Sequence, residues 1–347
     1  MLLSGLIIGL ILGFIFQRGR FCVTGAFRDV WLSGATRWLK AFLLAIAVQA
    51  VIVQILVSLD LIHPALEAFA PLAVAGGSLI FGIGIVAAGG CATGTYYRSG
   101  EGLVGSWVAL GFYAFSSAVM KHGIGQPLEH SARSYELSEN TIYGTFGISP
   151  WVLVIAFAIF VSYLFYRQHQ QTAKIAALPA KRSGIAHLLF EKRWSPNATA
   201  LAVGIIAAIA YPLSEATGRA AGLGVTTPSA NIIAFLTTGN TQLIDWGMLF
   251  VLGIIPGSYL AAKLSGEFKI RVPDAKTVVR AIWGGSLMGI GAAIAGGCSI
   301  GNSLVYTALF SWQGWAALLF TFIGVGIGAK LLIQPQKTAQ VKLVVQS

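Results

Sequence analysis

The stretch AGGCATG (residues 88–94) lies in the middle of an apolar segment, and the similar stretch AGGCSIG (residues 295–301) lies in another. The match extends without a gap through the six residues before each stretch, so that Cys91 and Cys298 take equivalent places. A glycine pair at membrane depth breaks a helix, and a broken helix is tolerated only where its backbone is buried in protein or lines a polar cavity. The two stretches therefore predict broken helices in two related halves of the chain.

The composition is that of an integral membrane protein. Of 347 residues, 56% are hydrophobic and 10% are charged, a balance outside the range of soluble domains. Long apolar runs without a period of two exclude a β-barrel. We predict an all-α polytopic membrane protein with about nine transmembrane helices in two inverted repeats. The first run has no basic leader and no cleavage site, so we expect it to remain as a helix. The predicted segments are 2–17, 41–59, 71–97, 102–120, 150–167, 197–212, 246–263, 281–310 and 314–334.

The loop charges predict the orientation. The formal net charge is +11, and because the basic residues fall in particular loops we read them as topology signals and expect no nucleic acid as a partner. Placing the basic loops in the cytoplasm of a bacterial inner membrane gives a periplasmic N-terminus and a cytoplasmic C-terminus. The loop net charges are +4 for 18–40, +5 for 167–196, +3 for 263–280, +3 for the tail from Lys330, −2 for 60–70 and −1 for 121–147.

A weaker repeat divides the chain. RFCVTG (residues 20–25) pairs with GLGVTT (residues 222–227), each shortly after an apolar segment, so that Cys22 corresponds to Gly224. In the charge-derived topology the Cys91 segment runs inward and the Cys298 segment runs outward, which is typical of transporters with inverted repeats. The predicted units are a first half at 1–167, a basic cytoplasmic linker at 168–196, a second inverted half at 197–335 and a C-terminal tail at 336–347. We expect loop 121–147 to be a periplasmic cap.

The broken helices predict an anion site. Helix N-termini that point into a break supply partial positive charge and free N–H groups, and none of the motifs contains an acidic residue. Small hydroxyl side chains beside the breaks add donors. The candidate substrate-binding residues are Thr24, Gly89, Gly90, Thr93, Gly94, Thr226, Thr227, Gly296, Gly297, Ser299, Gly301 and, on the cytoplasmic side, Arg20.

The three cysteines have few other uses in this pattern. Zinc takes four ligands, whereas these cysteines are single and the histidines lie in loops, so we predict no metal site. A disulfide would leave one thiol over, and no Cys-x-x-Cys redox pair is present. Protonated thiols suit a polarizable sulfur atom, so we predict a sulfur-bearing oxyanion on a path lined by Cys22, Cys91 and Cys298. The alternative is close glycine packing with cysteines as small apolar fillers.

The motifs resemble the YeeE/YedE sulfur-transport family over essentially the whole chain. The similarity rests on RGRFCVTGAFRD (residues 18–29), AAGGCATGTYYRSGEG (87–102) and AIAGGCSIGNS (293–303). It implies thiosulfate uptake past Cys22, Cys91 and Cys298 in an hourglass-shaped helical bundle. We expect no cofactor. It also implies a TusA-like sulfur carrier acting in trans, since this chain has no such domain.

Other functions stay open from the sequence. Members of the family are assigned to selenium or to other sulfur compounds, and the motifs here do not separate them. A membrane sulfurtransferase would carry a persulfide on one cysteine, although we expect a transporter and not an enzyme. A channel for another small solute is a further alternative. We also expect Arg98 and Glu101 to form an ion pair across a tight turn.

Overall fold

The computed structural model describes residues 1–169, 184, 187–192 and 194–333, and in these residues the regular secondary structure is helical apart from isolated bridges. Most of the predicted linker 168–196 and all of the predicted tail 336–347 lie outside the described residues. The α-helices are α1 (Leu3–Gly19), α2 (Val23–Ser33), α3 (Arg37–Ser58), α4 (Pro71–Ala87), α5 (Ala92–Gly100), α6 (Val104–His122), α7 (Gln126–Ala132), α8 (Ile142–Phe146), α9 (Pro150–His169), α10 (Pro196–Glu215), α11 (Thr226–Thr238), α12 (Trp246–Leu264), α13 (Ala275–Ile294) and α14 (Trp312–Leu332). Short π-helices cover His187–Glu191 and Gly301–Tyr306, and a 3₁₀ turn covers Thr241–Leu243.

Eight stretches of the described chain are long and apolar enough to cross a membrane, which makes this a polytopic membrane protein. The ninth predicted segment, 102–120, forms α6. This helix has 19 residues, but three serines and a terminal Lys121 and His122 leave it less apolar than the others. The eight stretches are Leu3–Ser33, Arg37–Ser58, Pro71–Gly100, Pro150–Arg167, Pro196–Glu215, Trp246–Leu264, Ala275–Ile294 and Trp312–Leu332.

Helices α4 and α13 cross in the centre of the bundle, and glycines allow their backbones to touch. A Cβ on Gly77 would lie 2.7 Å from the carbonyl oxygen of Gly291, and a Cβ on Gly84 would lie 3.0 Å from that of Gly284. Because the earlier glycine of α4 meets the later one of α13, the two helices are antiparallel. The contacts are also reciprocal, since Gly284 and Gly291 are the repeat partners of Gly77 and Gly84. Small residues are the usual means of such close approach in membrane proteins.

Neighbouring glycines of α4 offer a test of this contact. We expect Gly77→Ala to lower the melting temperature in detergent, because the new Cβ would lie 2.5 Å from the backbone nitrogen of Ala295 and overpacking costs about 1–3 kcal/mol. Gly76→Ala is the matched control, since a Cβ there meets nothing within 4 Å. Equal melting temperatures for the two variants would contradict the close crossing. The measurement is thermal unfolding of the purified protein followed by size-exclusion fluorescence.

The loops that the sequence places in the cytoplasm meet at one end of the bundle, which we call the basic end. Arg20 from the loop after α1 forms an ion pair with Glu267 from the loop after α12, with 2.8 Å between Nη2 and Oε2. Arg18 reaches the same carboxylate at 3.3 Å and donates to the carbonyl of Leu189 in the π-helix of the linker. Three of the predicted basic loops are therefore in contact.

The acidic loops meet at the opposite end, which we call the acidic end. Arg133 of loop 121–147 contacts Glu67 of loop 60–70 with 2.9 Å between Nη2 and Oε2. Their backbones are joined by a bridge between Phe69 and Leu137. The chain from α4 to α5 thus runs from the acidic end to the basic end, and the chain from α13 onward runs the other way.

Candidate functional site

Two of the three thiols face each other inside the bundle. Cys22 is the N-cap of α2 and Cys91 is the N-cap of α5, and their Sγ atoms are 3.9 Å apart. Gly94 lies between them, because a Cβ at this position would be 3.2 Å from one sulfur and 3.4 Å from the other. The backbone N–H of Gly94 donates to the sulfur of Cys91. Since both residues begin a helix, two positive helix ends meet at this pair.

The backbone around these cysteines follows from local sequence. Helix α4 ends at Ala87, and Gly89 adopts φ +73°, a left-handed conformation that glycine takes without a steric penalty. The break then leads directly into α5, as the sequence predicts. Before Cys22 the turn is made by Arg20, which takes φ +52° without being glycine. Its ion pairs at the basic end hold this less favourable conformation.

Free hydroxyl groups surround the cysteine pair. Thr24 and Thr93 are 2% and 4% exposed, and neither hydroxyl has a hydrogen-bond partner among the described residues. Buried polar groups are normally paired, so these two donors are available to a ligand. Both belong to the predicted set, and both lie in the first turns of α2 and α5.

Arg98 is a residue of this site that the sequence did not reveal. Its guanidinium donates to the carbonyl of Gly89 in the break and to the hydroxyl of Tyr97, and its charge lies within electrostatic range of Cys22. The predicted ion pair of Arg98 with Glu101 is wrong. Glu101 instead accepts two hydrogen bonds from Arg20, at 2.6 and 2.8 Å. The helical direction of α5 turns Arg98 back toward its own N-terminus, which leaves Glu101 at the basic end.

The side chain of Arg20 forms ion pairs with Glu101 and Glu267 and does not contact the cysteine pair. Its side chain is 40% exposed and is shared between Glu101 and Glu267. Burial raises the pKa of Glu101, and the charge of Arg20 opposes this. Burial also works against ionisation of Glu267, but Arg20, Gln17 and Arg18 together hold the pKa of this carboxyl below its usual value. Arg20, one of the predicted binding residues, therefore lies at the exposed surface of the basic end and outside the cysteine site.

Cys298 lies apart from the pair, in a cavity of about 100 Å³ near the acidic end. Gly296 takes φ +73°, the same value as its repeat partner Gly89. The loop 221–227 forms the opposite wall, and the cavity brings together the predicted residues Thr226, Thr227, Gly296, Gly297, Cys298 and Gly301. Ser299 is 1% exposed, and its hydroxyl has no partner in the described part of the chain.

The second break differs from the first in one respect. The sequence predicts that Ser299 to Gly301 open a half-helix, but the chain there is a turn, and a π-helix begins at Gly301. The Asn302 side chain explains the difference, because its amide nitrogen donates to the carbonyls of Ala295 and Gly297 and fills the break from within. The helix N-terminus at this site is that of α11, which begins at Thr226.

Arg219 supplies a cation that the sequence analysis missed. Its guanidinium lines the Cys298 cavity and donates to the carbonyl of Gly222 at 2.7 Å and to the hydroxyl of Ser214 at 3.0 Å. Burial lowers the pKa of Arg219, with Asp245 opposing this at a distance of 3.7 Å. A Cβ on Gly224 would lie 3.3 Å from Nη2 of Arg219. The position that carries a thiol in the first half is thus a glycine beside an arginine in the second.

Two tyrosines connect the sites. Tyr96 of α5 bonds to the hydroxyl of Ser229 at 2.8 Å, and Tyr113 of α6 donates to the hydroxyl of Thr226 at 3.0 Å. Both partners lie in the first turn of α11, beside the Cys298 cavity. All three cysteines are free, and no group of three or more His, Cys, Asp or Glu side chains suited to a metal occurs in the described residues.

The sequence model of a family described as sulphur transport matches residues 18–327. The chain belongs to this family. A protein of Escherichia coli (strain K12) named Thiosulfate transporter TsuA is 49% identical over 342 residues, which are 98% of this chain and 97% of that protein. A Thiosulfate transporter TsuA of Spirochaeta thermophila is 33% identical over 93% of this chain and 97% of its own length. The E. coli protein named Probable transporter YedE is 43% identical over 107 residues, or 30% of this chain and 26% of its own. The family resemblance drawn from the three motifs is confirmed.

Proposed function

We propose that this protein is a bacterial inner-membrane transporter that takes up thiosulfate from the periplasm to the cytoplasm. The observation that carries the proposal is the placement of Cys22 and Cys91 at the N-caps of two helices, 3.9 Å apart inside the bundle. The 49% identity to a protein named as a thiosulfate transporter supports the choice of anion. The path runs from the Cys298 cavity at the acidic end, past Tyr96, to the cysteine pair and the basic end.

The chemistry of the two sites matches the two ends of thiosulfate. Helix N-termini and unpaired hydroxyls of Thr24, Thr93 and Ser299 suit the sulfonate oxygens. Thiols suit the terminal sulfur, because sulfur is a weak and polarizable hydrogen-bond partner. Weak contacts at successive positions let an anion leave each one, which transport requires.

The inverted-repeat arrangement is part of the proposal. The first half is 1–167 and the second is 197–335, with linker 168–196 and tail 336–347 in the cytoplasm. The antiparallel crossing of α4 and α13, with reciprocal glycine contacts, supports a two-fold relation between the halves. The grouping of basic loops at one end supports a cytoplasmic basic end and a periplasmic N-terminus.

One observation favours a second candidate function. Two thiols 3.9 Å apart also suit a sulfurtransferase. The thiolate of one cysteine would attack the outer sulfur of thiosulfate, break its S–S bond, release sulfite and become a persulfide, whose outer sulfur would then pass to the other thiolate. A TusA-like carrier would be the acceptor on the cytoplasmic side. Thiosulfate labelled with ³⁵S on the outer sulfur or on the sulfonate sulfur separates the two, because transport delivers both labels together and transfer delivers only the outer one.

The test of the proposal is growth and uptake in a bacterium that lacks its other sulfate and thiosulfate importers. Expression of the chain should restore growth on thiosulfate as sole sulfur source and uptake of both ³⁵S labels. A well-expressed chain that restores neither would contradict the thiosulfate assignment and direct attention to other sulfur or selenium compounds. Uptake of the outer sulfur alone would favour the transferase.

A further inference from the structure

A pair of opposite charges lies over the Gly-Gly-Cys stretch at the mouth of the Cys298 cavity. Glu67 lines the cavity, and a Cβ on Gly296 would lie 2.9 Å from its Oε2 oxygen. The same oxygen accepts from Nη2 of Arg133 at 2.9 Å. A carboxylate oxygen therefore occupies the place above the break where an incoming anion would first meet the protein.

Arg133 has a hydrogen-bond partner on only one of its two terminal nitrogens. Its side chain is 13% exposed, and its Nη1 atom is fully buried above Gly296 without a hydrogen-bond partner in the described residues. A buried guanidinium nitrogen without a partner is costly. This unpartnered nitrogen lies beside Gly296, which lines the cavity, and guanidinium forks bind two oxygens of one anion well.

Glu67 is much less buried than Arg133, because its side chain is 49% exposed and can move into water. Both segments are fixed at the backbone, since the N–H of Leu137 donates to the carbonyl of Phe69 and the N–H of Phe69 donates to Asn140. Only the side chain of Glu67 needs to move for Arg133 to change partner. On the other wall, Arg219 adds a positive charge that Asp245 balances in part.

We propose that Glu67 and Arg133 form an anion-exchange latch at the mouth of the cavity. The entering sulfur oxyanion takes the fork of Arg133, and the displaced carboxylate of Glu67 turns into the solvent. Glu67 thereby competes with the entering anion for the guanidinium of Arg133, and only anions that bind Arg133 more strongly than Glu67 does can enter. Anions with a single weakly accepting oxygen fail to displace it. This inference rests on the proposed function, because it assumes that the anion enters at the acidic end.

The first test is the kinetics of labelled thiosulfate uptake. Arg133→Gln should raise KM about tenfold through loss of a charge-assisted contact, and Glu67→Gln should lower KM about threefold through loss of the competitor. In the Arg133→Gln background the effect of Glu67→Gln should disappear, because the carboxylate acts through the arginine. The matched controls are Lys121→Gln and Glu129→Gln, which make the same charge changes in an ion pair of the same cap at 3.3 Å. Both controls should leave KM unchanged.

A second test does not depend on transport. In a Cys22→Ser, Cys91→Ser background only Cys298 can react with the anionic reagent sulfonatoethyl methanethiosulfonate, added from outside. Glu67→Gln should speed this modification and Arg133→Gln should slow it, and the cationic trimethylammonium analogue should show the reverse order. A fall of KM cannot arise from misfolding, so Glu67→Gln keeps the test decisive if Arg133→Gln is poorly produced.

The outcomes separate the two proposals. Uptake by the parent with KM values and modification rates unchanged in Glu67→Gln and Arg133→Gln would overturn the latch alone. A higher KM in Glu67→Gln would also overturn it, since the carboxylate would then help binding. Absence of uptake by the parent would overturn thiosulfate transport, while the modification rates of Cys298 would still decide whether Glu67 and Arg133 control anion entry.

Discussion

Replacing Cys91 with serine is expected to reduce the initial rate of thiosulfate uptake by about tenfold, because a hydroxyl replaces the polarizable sulfur that suits the terminal sulfur of thiosulfate. Serine tests the role of the sulfur more specifically than alanine does. Cys91 is the N-cap of α5 and its sulfur accepts a hydrogen bond from the N–H of Gly94, a bond that alanine would remove. Serine is a better N-cap than cysteine, so the helix remains capped while the soft sulfur is lost. Cys22→Ala and Cys298→Ala should show losses of similar size. The measurement is uptake of ³⁵S-thiosulfate at matched levels of membrane-inserted protein.

The control for these variants is a buried hydroxyl elsewhere in the bundle. Ser117 of α6 is fully buried and lies outside the three cysteine motifs, so Ser117→Ala makes a buried polar-to-apolar change that leaves those motifs intact. It should leave uptake unchanged. Full uptake by the serine and alanine variants of all three cysteines would mean that the thiols only fill space, and the path would then have to be sought elsewhere.

The sequence was sufficient to predict the breaks, because the Gly-Gly-Cys stretch occurs at equivalent places in two matching segments. Gly89 and Gly296 share the same left-handed backbone conformation. The predicted residues Thr24, Thr93 and Ser299 are among the buried hydroxyls that lack partners in the described structure. Patterns that repeat within one chain can be recognised without a structure, since each copy confirms the other.

Arginines were harder to place, because their partners are distant in sequence. Arg98 lies three residues from Glu101, yet it bonds to the carbonyl of Gly89. Arg133 lies in a loop whose charge indicates topology and gives no sign of a cavity, and Arg219 lies in a loop from which no site was predicted. Their role depends on where loop 221–227 and loop 121–147 fold back, and no local pattern encodes this. The half-helix expected at Ser299 failed for a similar reason, since the side chain of Asn302 fills that break.

Oxidation is expected to join Cys22 to Cys91 and to stop uptake. The two sulfur atoms are 3.9 Å apart and have to approach to about 2.05 Å to form a disulfide. The bond would remove both thiols and tie the N-termini of α2 and α5 together. We expect mild oxidation by copper phenanthroline to reduce thiosulfate uptake to background and dithiothreitol to restore it. Intact mass measurement should show the loss of two hydrogens.

Cys298 provides the control for this cross-link, because it lies in the separate cavity beside loop 221–227. The mass change should persist in Cys298→Ser and vanish in Cys22→Ser, which assigns the bond to the pair. If the pair becomes fully linked while uptake continues at its original rate, the substrate does not pass between these helix ends. The path would then have to bypass the only place in the described structure where two cysteines are in contact, and the helix N-termini at the pair would serve packing instead of anion binding.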